Sequence, residues 1–181
     1  MTDQEKQLLS TARFDVVELP ADPAHPTGKQ RQVVRHPGAV TIVPMVGDDH
    51  VCLIRNFRVS VGMELLELPA GTLESNEPHA VTAQRELIEE TGYEAKTLTR
   101  FHTFFPLPGM STEVMHAYTA EGLTYRGQEL DAHEDIQVHP MTVDQVRSAL
   151  LNHEIIDGKT IALLGLFLLE ADRLTLSAND L

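Results

Sequence analysis

The sequence predicts an α/β (α+β) fold, a mixed sheet covered by helices behind a small N-terminal β appendage. Three observations carry this. Short runs rich in β-branched residues recur through the first two thirds of the chain. A single strong helical pattern interrupts them, and two more helical patterns close the chain. That order (β-rich, helix, β-rich, helices) suits a sheet packed between helical layers. With 181 residues and 42% hydrophobic content, the chain is long and apolar enough for one domain with a small addition.

Residues 2–12 are expected to form a short amphipathic helix or to fray. "FDVVEL" (Phe14–Leu19) and "RQVVRH" (Arg31–His36) read as strands, separated by the proline-rich turn "PADPAHPTGKQ" (Pro20–Gln30). "HPG" marks a boundary, so residues 1–38 form the appendage and residues 39–181 the main domain. Strands follow at Ala39–Val46, His50–Val59 and Met63–Gly71, the last stopped by proline and glycine. A helix is predicted over His79–Thr91, with Pro78 in its first turn, Gly92 closing it, and Ala80, Ala83, Leu87 and Val81 on its buried side. Further strands fall at Leu98–Phe105, Glu113–Thr119 and Ile136–Pro140. Thr142 and Gln145 form a capping box for a helix through about Asn152. A last helix, about Lys159–Arg173, is apolar nearly all round and is expected to be buried on more than one side.

A formal charge of −13 argues against a nucleic-acid backbone or an anionic membrane as partner. A small anionic substrate stays possible if cations mask the repulsion. The single cysteine, Cys52, suits a reducing, cytoplasmic setting. No signal-peptide pattern opens the chain, and its longest apolar run, Ile161–Leu169, is too short to span a bilayer. The nine histidines form no H-x-x-x-H pair, which argues against zinc.

The helix over His79–Thr91 carries Glu86, Glu89 and Glu90, spaced i, i+3, i+4 on one face. Like charges so placed repel by a few tenths of a kcal/mol per pair, so something must offset them. A solvated acidic face is one reading. A hard divalent cation, which prefers carboxylate oxygens, is the other. Arg85 sits at a neighbouring angle and can pair with Glu77. The surrounding pattern is G-x5-E-x7-R-E-L-x-E-E-x-G-Y, from Gly71 to Tyr93. Its seven fixed positions match by chance at roughly 10⁻⁹ per starting point.

This stretch resembles the Nudix box, with Gly71, Glu77, Arg85, Glu86, Glu89, Glu90 and Gly92 all in place. The resemblance implies an α/β/α sandwich around a mixed sheet, and hydrolysis of a nucleoside diphosphate linked to another moiety. It implies Mg²⁺ or Mn²⁺, two or three ions per site, held by Glu86, Glu90, nearby Glu89 and the backbone carbonyl of Ala70. Arg85 orients the glutamates, Glu77 holds Arg85, and Glu74 reaches a metal through water.

Beyond the box, "FRVSVGMELLELPAG" and "FFPLPGMSTEVMHAYTA" are similar to the flanks of ADP-ribose pyrophosphatases. In that subfamily a proline follows the box by about sixteen residues, where this chain has Pro108. Arg58 matches an arginine on the substrate phosphates, and Glu113 a position beside the terminal ribose. In this family the base commonly lies on a loop between the late strands, which the resemblance places here at "ELDAHEDIQVHP", with Glu134 as the candidate, although some relatives carry an acid where this chain has Ala132. With no tryptophan present, Phe14, Phe57 or an aliphatic clamp must hold the adenine. Many members form homodimers through the N-terminal β region, which would let Arg35 reach a neighbour's site. The expectation is a Mg²⁺-dependent pyrophosphatase yielding AMP and ribose 5-phosphate. The alternatives are another nucleotide sugar, such as ADP-glucose or GDP-mannose, or a domain that binds ADP-ribose without cleaving it.

Overall fold

A computed structural model describes residues 5–20, 28, 30–130 and 135–179. Three antiparallel strands come first, β1 (Lys6–Ser10), β2 (Asp15–Leu19) and β3 (Arg31–Arg35), ordered β1-β2-β3. β1 stands where a short helix or a frayed end was expected. So short a helix is marginal alone. Pairing with β2 instead satisfies its backbone and sets Ser10 against Asp15, whose carboxylate accepts the Ser10 hydroxyl at 2.7 Å.

The chain continues with β4 (Ala39–Val46), β5 (His50–Arg58), β6 (Met63–Glu67), β7 (Ala70–Thr72), α1 (His79–Thr91), β8 (Tyr93–Glu94), β9 (Thr97–Phe104) and β10 (Met115–Glu121). It ends with β11 (Thr124–Tyr125), β12 (Ile136–Thr142), α2 (Val143–Leu151) and α3 (Gly158–Asn179). The main sheet runs β12-β5-β4-β10-β9, with β6 on β5 and β7 on β4. β4 and β10 are parallel and the other pairs antiparallel, so the sheet is mixed. The strand expected over Met63–Gly71 is broken in two. Pro69 has no N–H to donate, and the chain changes partner there from β5 to β4.

Apolar residues cover both faces of the sheet. On one, Val43, Val51, Leu53 and Leu68 pack against Val146 and Ala149 of α2 and Leu163, Leu164 and Leu168 of α3. On the other, Val40, Ile42, Tyr118 and Ala120 meet Ala83 and Leu87 of α1. The result is the α/β/α sandwich. Over its described side chains, residues 158–173, α3 is buried on one side: Thr160, Leu163, Leu164 and Leu168 face inward while Ile161 and Leu169 are exposed, correcting the expected burial on several sides.

The placement of α1 matters most. Pro78 stands just before the helix, at φ −64° and ψ 136°, rather than in its first turn. Gly92 ends it at φ 75°, and its N–H donates to the Ile88 carbonyl at 2.8 Å. A Cβ there would also meet Tyr125 Cε2 at 2.7 Å, so glycine is required twice over. Ala80 and Val81 are exposed, contrary to expectation. The buried side is Thr82, Ala83, Leu87, Glu90 and Thr91. This rotation turns Glu90 inward. Burying Leu87 contributes about 2 kcal/mol, and Leu87→Ala would cost ~2–5 kcal/mol.

The N-terminal sheet and the main sheet are joined. The N–H of Val34 in β3 donates to Met110 O at 2.8 Å and Thr112 N–H donates to Val34 O at 2.9 Å, tying the loop after β9 to the appendage.

Candidate active site

Strand β5, strand β7 with its following loop, helix α1 and the turn between β1 and β2 enclose a cavity of about 830 Å³. Glu86 and Glu90 line it from α1, Ala70, Gly71 and Glu74 from β7 and its loop, and Arg58 and Asn56 from β5. Arg13 closes it from the turn.

The carboxylates are organised by one arginine. Arg85 Nη1 lies 2.9 Å from Glu86 Oε1 and 2.8 Å from Glu89 Oε2. Its Nε and Nη2 each lie 3.3 Å from the Glu77 oxygens. Thr82 Oγ1 donates to Glu77 at 2.8 Å, fixing the loop before the helix. Burial works against the Arg85 charge, but the hydrogen bonds it donates to Glu77 and the charges of Glu86, Glu89 and Glu77 overcome it and hold the guanidinium above its ordinary range. The Arg85 hydrogen bonds, against a smaller opposing effect of burial, hold the Glu77 carboxyl below its usual value.

Glu90 is buried, and its Oε2 accepts the Ala70 N–H at 2.8 Å, stitching α1 to β7. Glu86 lies directly over Gly71, where any side chain would collide with it. Across the cavity, Arg58 grips Glu67 with two parallel bonds, Nε to Oε1 at 2.8 Å and Nη2 to Oε2 at 2.6 Å.

Among the described residues, no group of three acidic, histidine or cysteine side chains is placed to hold a metal ion. Glu86 and Glu89 meet at Arg85, and Glu90 turns to Ala70. The donors that line the cavity, two carboxylates one helical turn apart beside a side-chain-free Gly71, are hard oxygen ligands of the kind that suits Mg²⁺ or Mn²⁺.

The other candidates are placed elsewhere. Arg35 is ion-paired with Glu5 and lines a smaller cavity of about 380 Å³ with Phe14, His36 and Arg13. Glu113 lies 3.9 Å from His36 Nδ1. Pro108 is exposed in the turn closed by the Met110 N–H on Leu107 O at 3.2 Å. Among the described residues these three are not part of the larger cavity's wall. Phe57 is exposed on β5. Glu134 lies outside the described residues.

Sequence reasoning missed Glu67, Lys159 and Arg13. The signal for Glu67 was present: a carboxylate between Leu66 and Leu68, in a strand with a proline two residues on, is out of place unless paired. Lys159 and Arg13 give no local signal, because the Glu67 carboxylate that Lys159 meets and the cavity wall that Arg13 joins lie far off in the chain.

The NUDIX domain model matches residues 35–164. The chain is 37% identical over 165 residues to the ADP-ribose pyrophosphatase of Bacillus subtilis (strain 168), covering 88% of this chain and 87% of that one. It is 36% identical over 165 residues to the methanol dehydrogenase activator of Bacillus methanolicus, covering 87% and 89%. A solved structure described as an ADP compounds hydrolase superposes with a TM-score of 0.74 at 24% identity, over 91% of this chain and 90% of that one, and shows the same fold. With a box intact from Gly71 to Tyr93, on a helix that presents Glu86 and Glu90 to one cavity, the chain belongs to the NUDIX domain family of hydrolases.

Proposed function

We propose that the chain is a divalent-metal-dependent hydrolase that splits the diphosphate of ADP-ribose into AMP and ribose 5-phosphate. The observation that carries this reading is the pairing, within one cavity, of Glu86 and Glu90 on one wall with Arg58 on another. Carboxylates alone would repel a diphosphate. Carboxylates that hold cations, opposite an arginine, suit one. The likeness to the Bacillus subtilis ADP-ribose pyrophosphatase supports the substrate.

Glu86 and Glu90, with the Ala70 carbonyl and with Glu89 nearby, would hold Mg²⁺ or Mn²⁺, two or three ions in all. When bound, such ions neutralise the diphosphate and activate the attacking water. Arg85 keeps the glutamates in place and Glu77 keeps Arg85 in place. Glu74 lines the same wall. Arg58 has two of its nitrogens on Glu67 and offers the remaining one to a phosphate. Glu134 is assigned as base, Glu113 and Pro108 to the ribose side, and Arg35 to a neighbouring copy. Residues 1–38 form the dimerisation region, a role that suits the exposed Leu8 and Leu9 on edge strand β1. A cytoplasmic location suits the buried Cys52, whose thiol burial pushes up to about 12.

The test is AMP release from ADP-ribose, ADP-glucose and GDP-mannose by the purified chain with Mg²⁺ or Mn²⁺. ADP-ribose should give the highest kcat/KM. The likeness to a dehydrogenase activator favours one second reading, a domain that binds ADP-ribose and acts on a partner. Calorimetric binding of ADP-ribose without AMP release would establish it and overturn the hydrolase.

A further inference from the structure

Glu67 is fully buried at the end of β6, yet it is the centre of four charges. Arg58 meets it through Nε and Nη2, as described. Lys159 Nζ, at the start of α3, lies 2.5 Å from the same Oε2 that Arg58 uses. Asp157 Oδ2 lies 2.9 Å from Lys159 Nζ and accepts the Thr160 N–H at 3.0 Å, capping α3. Burial works to raise the Asp157 carboxyl, but the Lys159 charge and the bonds from Thr160 and Lys159 hold it below its usual value.

Of the four, only Arg58 lines the large cavity. Its side chain is 37% exposed, against 1% for Glu67 and 13% for Lys159. Among the described residues its Nη1 has no hydrogen-bond partner. An arginine locked onto one carboxylate presents a nearly neutral pair, and its pull on a diphosphate largely cancels. Lys159 changes this by sharing the Glu67 charge. Two cations and two anions then balance, and the balance point is set from α3. Glu67 and Lys159 are themselves buried, so water screens such a charge behind the arginine only weakly.

We propose that Lys159 and Asp157 are positioning residues that act through Glu67 to set how much positive charge Arg58 presents to the substrate's diphosphate. This rests on the diphosphate reading of the cavity. A merely structural network, pinning α3 to the sheet, would change stability without changing affinity in a sign-dependent way.

The experiment measures kcat and KM for ADP-ribose with saturating Mg²⁺, and thermal melting, on full-length variants. Lys159→Met should raise KM roughly tenfold with little change in kcat, as expected when uniform binding is lost. Asp157→Asn should lower KM about threefold, with the helix cap kept because asparagine caps as well as aspartate. The double variant should return to within about twofold of the parent, because the charge balance is restored. In an Arg58→Ala background, Lys159→Met should move KM by less than about twofold.

KM values unmoved across the series, with only melting temperatures shifted, would overturn the proposal. If Lys159→Met does not fold, Asp157→Asn decides alone, and a KM that fails to fall overturns it. The parent is the control. A parent that does not cleave ADP-ribose removes the hydrolase reading and this inference together. Turnover in the parent with unmoved variants removes only the inference.

Discussion

A Cβ placed on Gly71 would lie 1.8 Å from the Cδ of Glu86. The first glycine of the box and the first glutamate of its trio are therefore in van der Waals contact, and the bare backbone of β7 is the floor on which the Glu86 carboxylate rests. Gly71→Ala must push Glu86 aside. Because a misplacement of about 1 Å at a reacting centre can cost about 100-fold, kcat/KM for ADP-ribose should fall by that order. Far-ultraviolet circular dichroism should remain that of the parent. An alanine variant with parental activity would show that Glu86 need not lie where the structure puts it.

Arg85 meets three carboxylates with one planar group, Nη1 toward Glu86 and Glu89 and the Nε edge toward Glu77. Lysine, a single point charge, cannot replace that fork. Arg85→Lys should lower kcat roughly 10- to 100-fold. It should also leave the acids short of positive charge, so that Mg²⁺ raises the melting temperature more in Arg85→Lys than in the parent, as ligand linkage requires. Equal Mg²⁺ shifts in the two proteins would contradict this account of the cluster.

His116 gives a pH prediction independent of the cavity. It is buried on β10, stacked on His79 at 3.8 Å between ring centroids, with Arg100 Nη2 at 3.4 Å from its Nδ1. Burial first, then the charges of His79 and Arg100, hold its pKa below the ordinary 6.5. A histidine depressed in the folded state binds fewer protons there than when unfolded. Stability is therefore fully present above about pH 6.5 and is lost as pH falls through the lower folded value. Melting temperature should drop on acidification from about pH 7 to 5, and His116→Gln should flatten that drop. An equally steep drop in the variant would assign the effect to other groups.

Features set by short-range chemistry were legible in the sequence. The bounds of α1, His79–Thr91, follow from Pro78 before it and Gly92 after it, and the cap of α2 follows from Thr142 and Gln145. The spacing of Glu86, Glu89 and Glu90 places them on α1 whatever surrounds it. What depended on distant partners was not legible. β1 is a strand because β2 pairs with it, and Pro69 divides a strand because the chain changes partner there. Which side of α1 is buried depends on the sheet beneath it, which is why Val81 lies outside and Glu90 inside. Glu67 and Lys159 are 92 residues apart in sequence, so neither announces the other.

If the acids of α1 serve divalent cations, removing either the charge of Glu90 or the metal must stop the reaction. The rate of AMP formation from ADP-ribose should be compared for the parent and for Glu90→Gln at saturating Mg²⁺, with the parent repeated in excess chelator. A glutamine still accepts the Ala70 N–H but brings no charge. Glu90→Gln should lose at least about 100-fold in rate, and the parent should show no turnover in chelator. A variant that matches the parent, or a parent that works without metal, would contradict that role for the acids.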